Sequence, residues 1–328
     1  MRFGTYNLAT LFGSDSASER ERQDMICEII RGLDVDVLAV QEVHAPLPGL
    51  AAARLDELGR RVGMTAYLGD WDSAPRVEIG KIAVGISPHN LHVGLLWNPD
   101  TVACVPGTFR SYTNENMHHG LIKAVFRVHG SDGMVYEVQH GSTHLTPFGP
   151  NGGRADEAVR VVSAFTRPLH RPPGLVGGDW NTVGADRDVD GNYYDPDPYA
   201  GAPWAPEFIY QCRRERDDHG RVRRWWADRT TGEVLLDGGL IDARVALHNA
   251  TLTSGGVAWR PSSGHRSDDT RFGRRRIDGI RCTAEVVPAL RAVDIVGGDL
   301  ATRASDHLPE VVEYDPAAIC SEAADGCP

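Results

Sequence analysis

The residues of this chain that could do chemistry gather at the ends of apolar runs: Asn7, Glu42, His144, Asp179 with Asn181, and Asp306 with His307. The most informative stretch is Gly174–Asn181, where Leu175 and Val176 read as the end of a buried strand and Gly177 and Gly178 permit a sharp turn. If the chain stays extended there, Asp179 and Asn181 point the same way, and a carboxylate beside a carboxamide can hold a water molecule. Taken alone, Gly, Asp and Asn are ordinary turn residues, so this stretch gains its meaning from the others. Asp278 lies within an apolar strand and needs a partner. His307 is the natural one, because an Asp that holds a His in one tautomer is a common orienting pair. Glu42 and Asp306 offer hard oxygen ligands, which suit Mg²⁺ or Mn²⁺ rather than zinc. Singly, Asn7 and Glu42 also read as plain strand ends, and His144 as a hydrogen-bonded core histidine.

The elements that must position these residues follow from periodicity. Residues 2–8 alternate toward a strand ending at Asn7, and 35–40 form a continuous apolar run that ends on Gln41 and Glu42. Helical spacing of Met25, Ile26, Ile29 and Ile30 predicts a helix over 19–32, and similar patterns predict helices over 50–62 and 154–165. Strands are expected at 82–86, 93–97, 121–128, 135–144, 257–259, 277–281 and 311–314, with Ser131, Asp132 and Gly133 closing a hairpin. Helices falling between strand pairs imply an α/β or α+β class with stacked layers.

Composition narrows the partners. The chain has 328 residues and a net charge of −11, so a face that grips nucleic acid must be local. Lysine occurs only at Lys81 and Lys123; the positive charge is otherwise arginine, which suits forked contacts to phosphate. No apolar run approaches the roughly 18 residues of a membrane helix, and the N-terminal residues lack an apolar signal core, so a cytoplasmic location is expected, or else a chain already trimmed of a leader. Six scattered cysteines without a CxxC pair make sulfur-bound metal a poor expectation; Cys320 and Cys327 could close a small loop, with free thiols the alternative.

In order and with their neighbours, Tyr6-Asn7, Gln41-Glu42, Thr143-His144-Leu145, Gly178-Asp179-Trp180-Asn181, Arg276-Ile277-Asp278 and Ser305-Asp306-His307 resemble the endonuclease/exonuclease/phosphatase superfamily. The resemblance runs from residue 6 to residue 307, and the opening Asn7-Leu8-Ala9-Thr10 leans toward its deoxyribonuclease-like branch. It implies a four-layer sandwich of two packed β-sheets between helices, with residues 1–316 as one domain, an insert at about 184–238 and a tail at 317–328. It also implies a divalent-metal phosphoesterase. Glu42 would hold Mg²⁺ with help from Asn7 and Asp306. Asp179 and Asn181 would position and activate water. His307, oriented by Asp278, would contact the phosphate or act as general base, and His144 would stabilise or protonate the leaving side.

Two places depart from that pattern. Where deoxyribonuclease-like members carry a glutamate paired with the counterpart of His144, this chain has Leu91-His92. Where many carry a phosphate-contacting arginine, it has His119. Within the insert, Asp186, Asp188, Asp190 and Gly191 approximate a calcium loop, with Asp197 at its twelfth position; a solvated acidic turn is the alternative. Arginines at 213–224 followed by Trp225 and Trp226 suit phosphate and base contacts, but interleaved acids also fit a solvated hairpin. The acidic net charge and the altered phosphate positions favour a small or specialised phosphate ester as substrate, while the deoxyribonuclease-like opening and the arginine-rich insert support a nuclease. A DNA or RNA nuclease and a non-catalytic binding protein on the same scaffold are the competing readings, whereas a zinc hydrolase lacks its ligand set.

Overall fold

In Val37–His44 (β2), Val37 and Ala39 face one way, Leu38 and Val40 the other, and all four are fully buried. A strand that is apolar on both faces needs cover on both, and this requirement builds the layers. A computed structural model describes residues 1–69, 80–112, 117–149, 153–167, 171–266 and 272–320. It shows a four-layer α+β sandwich.

The first sheet places Arg2–Leu11 (β1) beside β2 in parallel; beyond β2 lie Leu91–Trp97 (β4) and then, at the edge, Val84–Gly85 (β3). On the other side of β1 stand two more strands, Glu310–Tyr314 (β15) and Leu290–Ile295 (β14). Ala17–Leu33 (α1), Pro48–Val62 (α2) and Asp299–Ala304 (α6) cover its outer face, where Ile26, Ile30, Leu55 and Leu58 meet Tyr6, Leu38, Val40 and Leu96. Ser16 caps α1 by accepting from the Glu19 N–H at 3.1 Å.

The second sheet is centred on Val135–His144 (β8), parallel to Gly174–Asp179 (β9) and antiparallel to Gly120–His129 (β7). Ala103–Cys104 (β5) and Arg110–Tyr112 (β6) pair with β7, and Asp278–Thr283 (β13) and Leu240–Asp242 (β12) extend the sheet beyond β9. Arg154–Thr166 (α3) and Thr230–Asp237 (α4) pack outside it, and Ala243–Ala250 (α5) packs against β13 and β14. Between the sheets Phe3, Ala39, Leu95, Trp97, Ile122, Phe126, Val138, Leu175 and Ile280 form the central core.

Several expectations change at this level. Gly177 and Gly178 stay within β9 and make no turn: a Cβ on Gly177 would lie 2.6 Å from that of Thr5, so the two sheets approach too closely there for a side chain. The strand expected at 82–86 shrinks to β3, and none forms at 257–259, where the Val257 carbonyl accepts from Tyr194 Oη and its N–H turns to the His248 ring. The periodicity reading passed over α4, α5, β12 and β14, although Asp242 caps α5 by accepting from the Arg244 and Val245 N–H groups. Residues 184–238 include the hairpin Cys212–Arg216 (β10) and Val222–Ala227 (β11), where Arg213 pairs with Asp228, and Arg221 and Arg223 both pair with Asp217. The expected calcium loop does not assemble. Asp186 turns inward to Arg281 at 2.7 Å and accepts the Asp242 N–H, while Asp188 accepts the N–H groups of Asp190 and Asn192 in its own turn. Cys327, and with it the Cys320–Cys327 loop, lies outside the described residues. Among the described residues no helix is long and apolar enough to cross a membrane.

His140 on β8 stands fully buried between the sheets, its ring 4.9 Å from that of Phe3 and its Nε2 3.0 Å from Tyr314 Oη. Burial pushes its pKa down to about 3. The unfolded chain therefore binds a proton below about pH 6.5 that the folded chain refuses, and stability falls as the pH drops from there toward 3. One such group contributes up to about 1.4 kcal/mol per pH unit. Urea denaturation between pH 4 and 8 should show His140→Phe with a slope shallower by about one proton; an unchanged slope would refute the assignment.

Candidate active site

Adjacent bulges build the site. β1 and β2 pair in register from Phe3–Val37 to Asn7–Gln41, then slip before Leu11–Val43. The slip is made by left-handed residues without glycine: Ala9 (φ 49°), Thr10 (φ 56°) and Glu42 (φ 62°). Such backbone is costly outside glycine and persists where surrounding bonds over-determine it. Here they do. Asn7 Oδ1 accepts the Ala9 N–H at 3.0 Å, and Glu42 Oε2 accepts the Thr10 N–H at 2.8 Å and its hydroxyl at 3.0 Å. The bulges aim Asn7 and Glu42 off their sheet toward the end of β9.

Asp179 closes β9 opposite Asp278 on β13. Its Oδ2 accepts from Asn7 Nδ2 at 3.0 Å and lies 3.5 Å from His144 Nε2. The other amide hydrogen of Asn7 reaches Glu42 Oε1 at 3.2 Å. Asn181 does not extend alongside Asp179 as expected. It is left-handed (φ 52°), its N–H bonds Asp179 Oδ1 at 2.9 Å, and its Nδ2 donates to the Leu145 carbonyl at 2.8 Å. The pair is thus a closed turn held between strand ends. Buried Arg154 on α3 fixes it by donating to the Asn181 carbonyl.

Asp278 and His307 form the expected pair, Oδ2 to Nδ1 at 2.7 Å. Ser262 completes it: its Oγ donates to Asp278 Oδ2 at 2.7 Å and accepts the N–H groups of Ile277 and Asp278. Nothing in the sequence marked Ser262, which stands in an irregular segment outside every strand motif. Ser305 positions the other side by donating to the Asn7 carbonyl while accepting the His307 N–H. Asp306 stands at the rim, its Oδ1 4.0 Å from His307 Nε2, rather than within the Glu42 cluster.

Charge in this region is unbalanced. Burial raises the Asp179 pKa, with Glu42 adding, against His307, the Asn181 N–H and Asn7. Burial likewise pushes Asp278 up to about 6, against the pull of His307. For His307, burial disfavours the charge, but Asp278, Asp179 and Asp306 outweigh it and carry its pKa well above the ordinary range. These carboxylates favour the cationic form of His307. Burial, with His307 and His118 adding, pushes His144 down to about 3, so it stays neutral.

One imidazolium thus faces three carboxyl groups, with Glu42 beyond Asp179. Ligand atoms of Glu42, His144 and Asp179 lie within 4.8 Å of one another, as do those of Asp179, Asp278 and His307. Asp306 Oδ1 is buried without a hydrogen-bond partner. An oxygen-rich, under-neutralised donor set of this kind fits a hard divalent cation.

His119, in the place expected for a phosphate-contacting arginine, stacks on His144 with ring centroids 4.1 Å apart, and burial lowers its pKa far below the ordinary histidine value. His92 is structural: it bridges the Ser87 N–H and the Ala45 carbonyl. Glu157 on α3 ties the two histidine-bearing segments together, accepting the His118 N–H at 2.6 Å and the Thr146 N–H at 2.7 Å.

A family model described as Endonuclease/Exonuclease/phosphatase family matches residues 4–307. Similar solved structures include the 3′ phosphatase NExo of Neisseria bound to a product DNA hairpin, at 19% identity and TM-score 0.53, covering 96% of this chain and 99% of that one. A mannosyl-6-phosphatase of Bacteroides thetaiotaomicron aligns at 15% identity and TM-score 0.53, covering 95% and 98%. An AP endonuclease of Archaeoglobus fulgidus aligns at 12% identity and TM-score 0.51, covering 96% and 99%. At these identities the likeness is one of fold. No curated protein matches the chain in sequence.

Proposed function

This chain belongs to the endonuclease/exonuclease/phosphatase family, and on that premise we propose that it is a divalent-metal-dependent hydrolase of a small or specialised phosphate ester. The observation that carries the reading is the carboxylate cluster, in which Asp179, Asp278 and Asp306 converge on a single cation, His307, and Glu42 adjoins it through Asp179. Glu42, steadied by Asn7 and with Asp306 offering an oxygen from the rim, would hold Mg²⁺ or Mn²⁺, and the bound ion would draw charge from the phosphoryl oxygens. Asp179, braced by Asn7 and the Asn181 turn, accepts the proton of the attacking water. His307 donates to a phosphoryl oxygen as an imidazolium, a role that its raised pKa favours over that of general base. His144 serves the departing oxygen as a neutral N–H donor rather than as a charged acid.

Residues 1–316 act as one catalytic domain in this reading, with the insert at about 184–238 as a rigid wall. Its support is a set of buried pairs: Arg276 grips Asp195 and Asp242 at 2.8 Å, two residues before Asp278, and Arg281 grips Asp186. Similar folds include proteins named for a sugar phosphate and for DNA, so fold does not choose the substrate. The net charge of −11 and the arginines of the β10–β11 hairpin already paired with Asp217 and Asp228 weigh against a polyanion.

The test is hydrolysis of bis-p-nitrophenyl phosphate, p-nitrophenyl phosphate and supercoiled plasmid, with Mg²⁺, Mn²⁺, Ca²⁺ or EDTA. We expect turnover of the small esters that EDTA abolishes and that exceeds nicking of the plasmid. Rapid plasmid degradation with the small esters spared would install the nuclease reading instead, and metal-independent rates would overturn both.

A further inference from the structure

The rings that lead away from His144 form a continuous file. His144 stacks on His119; His119 meets His118 edge-on at 4.4 Å; His118 stacks on His89 at 3.8 Å and meets Phe148 at 5.6 Å and 90°. Phe148 in turn meets Tyr210 at 5.3 Å. The file begins fully buried at the catalytic residues and ends in solvent, where Phe148 is 45% and Tyr210 40% exposed. Exposed aromatic rings contiguous with a catalytic centre mark a contact surface rather than incidental exposure.

The file is also held in place from behind. Ser87 Oγ donates to the His118 carbonyl and accepts the His89 N–H, and His92 fixes the Ser87 N–H, so the segment bearing His89 is tied to the one bearing His118. Glu157 anchors His118 from the opposite side. The Tyr210 carbonyl accepts from buried Arg154, whose other bonds reach Asn181 and Pro147. Rigid rings lose little entropy when a flat partner covers them, and stacking of a base on an aromatic side chain is worth roughly 1–3 kcal/mol.

We propose that this file of rings, ending at Phe148 and Tyr210, is the subsite for the organic part of the ester, and that it selects substrates bearing a flat aromatic ring such as a nucleobase or aryl group. The inference rests on the phosphoesterase reading above, but its test does not require turnover.

The experiment is calorimetric titration, in Mg²⁺, of wild-type protein and of Asp179→Asn with adenosine monophosphate, phenyl phosphate, ribose 5-phosphate and inorganic phosphate. The two ring-bearing ligands should bind roughly tenfold or more tighter than the two without an aromatic ring. The double substitution Phe148→Ala with Tyr210→Ala, and separately His89→Ala at the exposed end, should erase most of that preference. Affinity for inorganic phosphate should remain within about twofold. Tighter binding of adenosine monophosphate than of phenyl phosphate would assign the surface to a nucleobase, and equal binding to aryl groups in general. Equal affinity for ligands with and without the ring, or an equal loss for all four in the variants, would overturn the inference. Absence of hydrolysis with the ring preference intact would instead count against the catalytic reading alone.

Discussion

Asp179→Asn is expected to lower the metal-dependent turnover of a small phosphate ester by about 10³-fold or more, within the range set by removal of a positioned general base. The geometry explains why a substitution of equal size is so damaging. The two carboxylate oxygens accept from different donors, Asn7 Nδ2 and the Asn181 N–H. A carboxamide can satisfy only one of them, because its NH₂ must face the other donor. Asn7 cannot turn over to compensate, since its own oxygen holds the Ala9 N–H. The variant thus loses the proton acceptor and loosens the bulge that aims Glu42. Stability should change far less, by about 1–2 kcal/mol, because removing the charge also relieves its repulsion with Glu42. Steady-state rates beside a thermal melt decide the matter. Substantial turnover in a well-folded variant would remove Asp179 from the chemistry.

The second large effect is expected from Asp278→Asn, and it is a change in pH profile as well as in rate. Burial opposes the charge on His307, and Asp278 at 2.7 Å is the largest of the influences that overcome it. With the carboxylate gone, the largest influence opposing burial is lost and the pKa of His307 moves down, with Asp179 and Asp306 left to support the charge. If the imidazolium is what contacts the phosphate, wild-type activity persists through neutral pH and declines only as His307 deprotonates on the alkaline side. In the variant that decline should move to lower pH by one unit or more, with kcat at pH 8 reduced about 10²-fold or more and partly recovered on acidification toward pH 6. Stability follows the same sign. The raised pKa of folded His307 contributes stability that is fully present below about pH 6.5 and is lost as the pH rises through the folded value, and the variant should lack that contribution. A uniform drop in rate with the alkaline limb unmoved would show that the pair is structural and that charge on His307 is not used.

Much of this was legible beforehand because the functional residues end strands. Apolar alternation located β1, β2, β4, β7, β8 and β9, and a polar residue at the close of a buried strand is conspicuous in one dimension. Asn7, Glu42, His144, Asp179 and His307 were found that way, Asp278 as a charge within an apolar strand, and the structure brings them together. Ser262, Glu157 and Arg154 were not, since a serine in an irregular segment and charged residues on a helix carry no local mark. Asp186 misled for the complementary reason. Its spacing to Asp188 and Asp190 suits a calcium loop, but Arg281, nearly a hundred residues away in sequence, claims its carboxylate.

What the sequence determined by itself was the inventory: hard oxygen donors, an Asp–His pair and the apolar periodicities that oblige two sheets to stack. These follow from residue type and local spacing, which are properties of the chain as written. What only the tertiary structure decided was the state of those groups. Whether Asn181 extends or turns back, whether His144 is neutral and His307 charged, and whether four histidines scattered from His89 to His144 form one file all depend on burial and on distances between remote segments. Desolvation and through-space charge act over a few ångströms in three dimensions, and no local pattern of residues records them.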